Sequence, residues 1–185
     1  MAISIDTSRI DLEINVLRQR LSPANVKEYE EAIVWANKMI TLNHISRKNA
    51  LIKLKRKDKR HPIVPKRREI WTAELGVNVG VESSDFHSVL IIQNDKGNEY
   101  SETTIVLPLS SLDAGEKIDN FIHHKIDTFN LEEIYKENAN DKPSKVKITD
   151  ITTIDKSRLI ERVSKVKIPL MLKIQDKMKK ILDFT

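Results

Sequence analysis

Eleven lysines and arginines fall between Arg47 and Arg68, against a single acid, Asp58. That segment carries +10 in a chain of net charge +5, so the remainder carries 5 − 10 = −5. A positive field this concentrated is the chemistry of docking on a polyanion or an acidic protein, and each neutralised phosphate releases counterions. A solvated helix face is the other reading of such a run. The only nearby aromatic is Trp71, so nothing indicates base stacking. The chain has no cysteine, which excludes a disulfide, a thiolate zinc site and a cysteine nucleophile. The adjacent pair His123-His124 would point to opposite faces of a strand, and His44 and His61 lie far off in sequence. No metal or cofactor is therefore expected.

Helices must carry the basic run. Ile10, Ile14, Leu17 and Leu21 follow helical spacing. Ser22-Pro23 reads as a helix start. Val26, Tyr29, Ile33, Ala36 and Ile40 then predict a helix over Pro23–Leu42. These two stripes are expected to pack as a helix–helix core. A separate basic helix, capped by Ser46, is expected from Arg47 to Lys59 and is ended by His61-Pro62 and Pro65.

The character of the chain changes at Lys66. Glu69–Leu75 alternates like a half-buried strand, and Val89–Ile92 is a short apolar run fit for a buried one. Asn94–Asn98 has turn chemistry. Thr103–Leu109 reads as a strand with Pro108 at an edge or terminus. Further on, Phe121–Ile126 predicts an edge strand, Phe129–Asn138 a helix-like stretch, Lys145–Ile151 a strand and Pro169–Phe184 an amphipathic helix. The expected division is a helical, basic extension over 1–65 and a β domain over 66–185. No secretory signal or membrane-spanning run is read, so a cytoplasmic protein that meets no membrane is expected.

The stretches REIWTAELGVNVGVE, VLIIQNDKGNEYSETTIVLPLS and VKITDITTIDKSRL resemble, in order, the motifs of the MazF/PemK family of toxin endoribonucleases. The resemblance implies an α+β fold, a small SH3-like curved antiparallel β-barrel with a C-terminal helix. It implies metal-independent cleavage of single-stranded RNA through the ribose 2′-hydroxyl. It also implies an antitoxin protein as partner, possible DNA contact as a complex with that antitoxin, and a homodimer. Carried over by position, it places His87 where the family has arginine and Ser110 where it has threonine. Thr152 stands where the family has a second arginine, and Asp150 where it has glutamine. His87 and Ser110 are the catalytic candidates. Arg67, Arg68, Glu82, Gln93, Asn94, Thr153 and Arg158 are the candidate RNA contacts. For His87, three readings stay open: a catalytic substitute, a mark of an altered site, or a loop residue whose basic role has moved to Arg67, Arg68 or Arg158. The alternative function is an inactive nucleic-acid- or protein-binding module on the same barrel, and residues 1–65 could mask the barrel in cis.

Overall fold

The computed structural model describes residues 6–22, 25–80, 82–136 and 143–184. The chain divides into two compact units after Met39. In the first lies α1 (Ser8–Arg20), with Ile10, Ile14 and Leu17 along it. The expected helix–helix core is not formed: α1 buries no residue, and in α2 (Val26–Lys55) the only buried side chain is Asn49. α2 also replaces the two helices expected over this region. No proline or glycine lies between Leu42 and Arg47, so nothing breaks the helix there. Pro23 lies outside the described residues, and Ser46 sits inside the helix rather than at its cap.

The second unit begins at Ile40. It is built on β1 (Glu69–Gly76), β2 (Asp85–Ile91), α3 (Asp95–Tyr100), β3 (Thr103–Ser111), β4 (His123–Ile126), β5 (Leu131–Ile134), β6 (Ser144–Lys147), β7 (Thr152–Asp155), β8 (Leu159–Val166) and α4 (Ile168–Ile181). The strands form one antiparallel sheet in the order β4-β6-β3-β2-β1-β8-β5, with β7 also paired to β3. This is the curled sheet with a C-terminal helix that the resemblance implies.

Val89, Leu90 and Ile91 of β2 are fully buried, because both faces of the sheet are covered at its centre. On one face Leu90, Leu107, Val146 and Val166 pack with Leu170, Met171 and Ile174 of α4. Burying each such side chain is worth about 1.5–3 kcal/mol. The other face holds Ala73, Leu75, Val89, Ile91, Val106, Ile154 and Leu159. Pro169 stands in the first turn of α4, where its missing N–H costs nothing. Lys177 on α4 is not merely solvated: its ammonium donates to the Asn120 carbonyl and, at 2.7 Å, to that of His123.

Three local expectations are corrected. Asn94–Asn98 is not an open turn: Asn94 caps α3, its side chain accepting from Gly97 N at 2.7 Å. Leu131–Ile134 is a strand rather than a helix, preceded by one 3-10 turn over Thr128–Asn130; Asn138 lies outside the described residues. Pro108 is at neither an edge nor an end of β3. It pairs with Val89 of β2, while β3 gives its other side to β7 over Thr103–Val106 and to β6 over Leu109–Ser111.

Residues 40–65 are tied to the barrel by polar contacts. Ser46 Oγ donates to Asp155 at 2.8 Å, and Lys53 pairs with Glu102 at 2.7 Å. The buried His61 ring meets Ile63 O at 2.8 Å and Glu102 at 3.2 Å. Part of the basic segment is therefore balanced locally, with Arg60 and Lys66 both reaching Glu99. Next to this network, Lys156 is wholly buried and donates to the Asn98 carbonyl at 2.5 Å and to that of Ser101.

Burial holds the Lys156 ammonium down to about 8, from 10.5. Between those values the unfolded chain binds the extra proton, so this lysine makes stability rise as pH climbs through the window. Replacing it leaves two carbonyls without their donor, at about 1–3 kcal/mol. Urea denaturation of Lys156→Met should show a loss of about 2 kcal/mol at neutral pH. The deficit relative to wild type should widen from pH 8 to 10.5.

Candidate functional site

The site is set by where β3 changes partners. Ile92 N donates to the Ile105 carbonyl, and the His87 ring meets the Leu109 carbonyl, so both carbonyls face β2. Backbone direction alternates along a strand, so Pro108 turns the opposite way, into the gap between β7 and β6. A residue without an N–H fits there because no strand asks for one. The turn from β6 to β7, over Ile148–Ile151, spans this gap, and a cleft of about 630 Å3 opens beside it. Leu75, Pro108 and Ile154 line it, with Asn78, Glu82 and Ser83 from the β1–β2 loop and Thr149–Asp155 and Arg158 opposite. Gly80, at φ +63°, lets that loop turn back.

The loop is fastened at its base. Asn78 Nδ2 donates to Ser83 O at 2.7 Å. Ser83 Oγ donates to Asp150 at 2.9 Å, and Lys147 lies 3.0 Å from Ser83 Oγ and 3.2 Å from Asp150. Burial pushes the Asp150 carboxyl up, but the bonds from Ser83 and Lys147 outweigh it and hold the group below its ordinary range. This stabilisation is present above the ordinary carboxylate range and is lost as pH falls through the lowered value.

His87 lies on β2 opposite Ala73. Its Nδ1 is 3.1 Å from the Leu109 carbonyl. A carbonyl can only accept, so Nδ1 carries the proton and the neutral ring keeps its lone pair on Nε2. The β2–β3 ladder pairs Val89 with Pro108. It ends there, and beyond it the His87 ring reaches the carbonyl of Leu109, the residue before Ser110. Ser110 in turn pairs with Lys145, and Lys145 with Lys125 of β4. Residues paired across antiparallel strands share a face, with Cβ atoms about 4.5–5.5 Å apart. Ser110, Lys145 and Lys125 thus form one lateral row, and the ring's bond to Leu109 joins the Ala73–His87 pair to it. The Ser110 Oγ is closed to solvent and has no hydrogen-bond partner among the described residues.

The other candidates divide into two groups. Glu82, Thr153 and Arg158 line the cleft. Arg158 also donates to Leu75 O at 2.6 Å and to Glu74 O at 3.3 Å, and Glu82 Oε2 accepts from Val79 N at 3.4 Å. Arg67, Arg68, Gln93 and Asn94 lie at the opposite end of β1 and β2. At about 3.3 Å per residue, Gln93 is roughly 20 Å from His87 along the chain. Arg67 donates to the Ile92 carbonyl and, at 3.1 Å, to Gln175. Arg68 donates to Glu132 and, at 2.9 Å, to Val166 O. Gln93 Nε2 reaches Thr103 O at 3.4 Å, and Asn94 is the cap of α3. These four hold the barrel's far end and do not join His87.

Sequence reasoning passed over Lys145, Lys147, Ser83 and Asn78. The signal was the pattern Lys145-Val146-Lys147: on a strand it turns two ammonium groups to one face and a buried valine to the other. His123, paired with Lys147, shares their face. Its imidazolium is disfavoured first by burial and then by Lys145. His124, on the other face, is disfavoured by burial and by Lys177 and Lys173 of α4. The two rings part as expected, and among the described residues no group of three or more His, Asp or Glu side chains gathers to hold a metal.

A small curled β-barrel with an imidazole, a hydroxyl and two lysines beside a polar cleft is the class this geometry defines. Residues 66–182 match the model of the PemK-like, MazF-like toxins of type II toxin-antitoxin systems, and the chain belongs to that family. It is 30% identical over 114 residues to Endoribonuclease EndoA of Bacillus subtilis, covering 62% of this chain and 90% of that relative. It is 31% identical over 99 residues to Endoribonuclease MazF of Staphylococcus saprophyticus, covering 54% of this chain and 75% of the relative. A solved structure, Mycobacterium tuberculosis toxin MazF-mt6, aligns with 64% of this chain and 99% of its own at 16% identity, with a TM-score of 0.48.

Removing the Ser83 hydroxyl tests the loop anchor. Ser83→Ala should raise the Asp150 carboxyl toward its ordinary range, read by carbon-13 NMR titration. It should also cost about 1 kcal/mol in urea denaturation at neutral pH.

Proposed function

We propose that this chain is an endoribonuclease toxin that cuts single-stranded RNA by attack of a ribose 2′-oxygen on the adjacent phosphorus. The observation that carries the reading is the His87 ring. Its Nδ1–H is held by the Leu109 carbonyl, and its basic nitrogen is left for chemistry in the row with Ser110. Nε2 takes the proton of the 2′-hydroxyl as the 2′-oxygen–phosphorus bond forms. The bond to the 5′-oxygen breaks, and that oxygen takes a proton from the imidazolium. The products are a 2′,3′-cyclic phosphate and a 5′-hydroxyl. Ser110 donates to a non-bridging phosphate oxygen, and this would satisfy its unpartnered Oγ. Both proton transfers use the side chain, so no metal is called for.

The cleft beside the row is the proposed seat of the bases that flank the cut, with Glu82, Thr153 and Arg158 on its walls. Membership of a toxin-antitoxin family supports a cognate antitoxin protein as the inhibitor. We keep residues 1–65 as an extension to the toxin domain. Among the described residues, no helix is long and apolar enough to cross a membrane.

The test is cleavage of mixed-sequence single-stranded RNA, with analysis of the ends. Wild type should leave 2′,3′-cyclic phosphate and 5′-hydroxyl ends and be indifferent to EDTA. His87→Ala should lose on the order of 100-fold in rate, the contribution typical of a positioned acid–base group. RNA left intact by the wild-type protein, or cut equally by His87→Ala, would overturn the catalytic reading.

A further inference from the structure

The row through Ser110 contains a cation that the proposed reaction has not used. Histidine stands where the family carries an arginine, and it cannot supply a permanent charge at the phosphate. The neighbour of Ser110 on its other side is Lys145. Lys147 is two residues along on the same face, but Ser83 and Asp150 engage it in holding the β1–β2 loop. The Lys145 ammonium is held by one exposed carboxylate, Glu116, from the connection between β3 and β4. Apart from Lys145, Glu116 is fastened among the described residues by its own turn, accepting from Asp113 N at 3.1 Å and donating its backbone N–H to Asp113 O at 3.1 Å. The ammonium is therefore beside the row, four-fifths covered, and neutralised by a group on a solvent-exposed loop.

The Ser110 hydroxyl lies beside this cation. An unpartnered buried hydroxyl costs about 1–3 kcal/mol. For a phosphate oxygen to reach it, a side chain on this face has to move, because the Oγ is closed to solvent. On the β3–β6 side the residue able to move is Lys145, whose tether is that loop carboxylate. The other neighbour, His87, is fixed by the Leu109 carbonyl.

We propose that Lys145 is the phosphate-binding cation of this site, and that Glu116 occupies it in the free protein as a stand-in for the scissile phosphate. RNA binding exchanges one anion for another. The carboxylate swings out with its loop, and the phosphate takes both the ammonium and the Ser110 hydroxyl. This rests on the RNA-cleaving reading above, but its two halves can be measured apart.

The full chain is used, with a fluorescein-labelled mixed-sequence 2′-O-methyl oligoribonucleotide as an uncleavable probe and unmodified RNA as substrate. Lys145→Met should weaken probe binding on the order of tenfold and lower the slope of log affinity against log salt by about one, the loss of one phosphate contact. Cleavage by Lys145→Arg should stay within a few-fold of wild type. Glu116→Gln should bind the probe several-fold more tightly than wild type. Because it removes only a surface carboxylate, it keeps the test independent of whether Lys145→Met folds. The proposal is overturned if Lys145→Met retains wild-type affinity and salt slope, if Glu116→Gln binds no more tightly, or if wild type fails to bind the probe. Wild-type binding without cleavage would sink the catalytic reading and leave the anion exchange standing; cleavage unaffected by Lys145→Met would do the reverse.

Discussion

Pro108 has no N–H to give, and the architecture of the site follows from where that deficit is tolerated. A proline in the middle of a sheet is stable only where its backbone faces no partner strand. Here β3 is central on one side, against β2, but on the other it is shared by two short strands that meet it above and below the proline. The β6–β7 turn crosses this gap, anchored in the core by Ile148, and Thr149–Ile151 form one wall of the cleft. The same arrangement aims the Leu109 carbonyl toward β2, where the His87 ring takes it.

The central β run was legible because β2 is buried on both faces, and Val89–Ile91 is apolar without interruption. The C-terminal helix was legible from its single apolar stripe and from Pro169 in the first turn. β8 was not, because bulges against β1 at Ile70/Trp71 and Thr72/Ala73 break its period of two and leave Ile160 exposed. In β5 a bulge between Leu131 and Glu133 moved the apolar residues to a spacing that imitates a helix. The continuous α2 was hidden by a capping signal: Ser46 has the chemistry of a helix start but spends its hydroxyl on Asp155.

The site divided along similar lines. Glu82, Thr153 and Arg158 line the cleft and the His87 ring lies by Leu109, next to Ser110, while Arg67, Arg68, Gln93 and Asn94 secure the far end of β1 and β2. Motif order along the chain cannot separate those ends, because the ordered motifs run the full length of each strand. Lysines in a short strand look like solvated charge until strand pairing fixes which side chains share their face. Lys145 acquires meaning only from its register with Ser110.

The pairing of β1 with β8 joins Glu69–Ala73 to Leu159–Lys165, elements separated by nearly the whole domain. Such non-local pairings place a chain among the slow folders, because loop closure must be achieved before the contacts reward it. A nascent chain emerging from the ribosome holds β1, β2 and β3 long before β7 and β8 exist. Its row of reactive side chains has no cleft beside it until β7 and Arg158 have been made. The barrel is therefore completed only by its last third, and synthesis itself delays the moment at which the protein becomes competent.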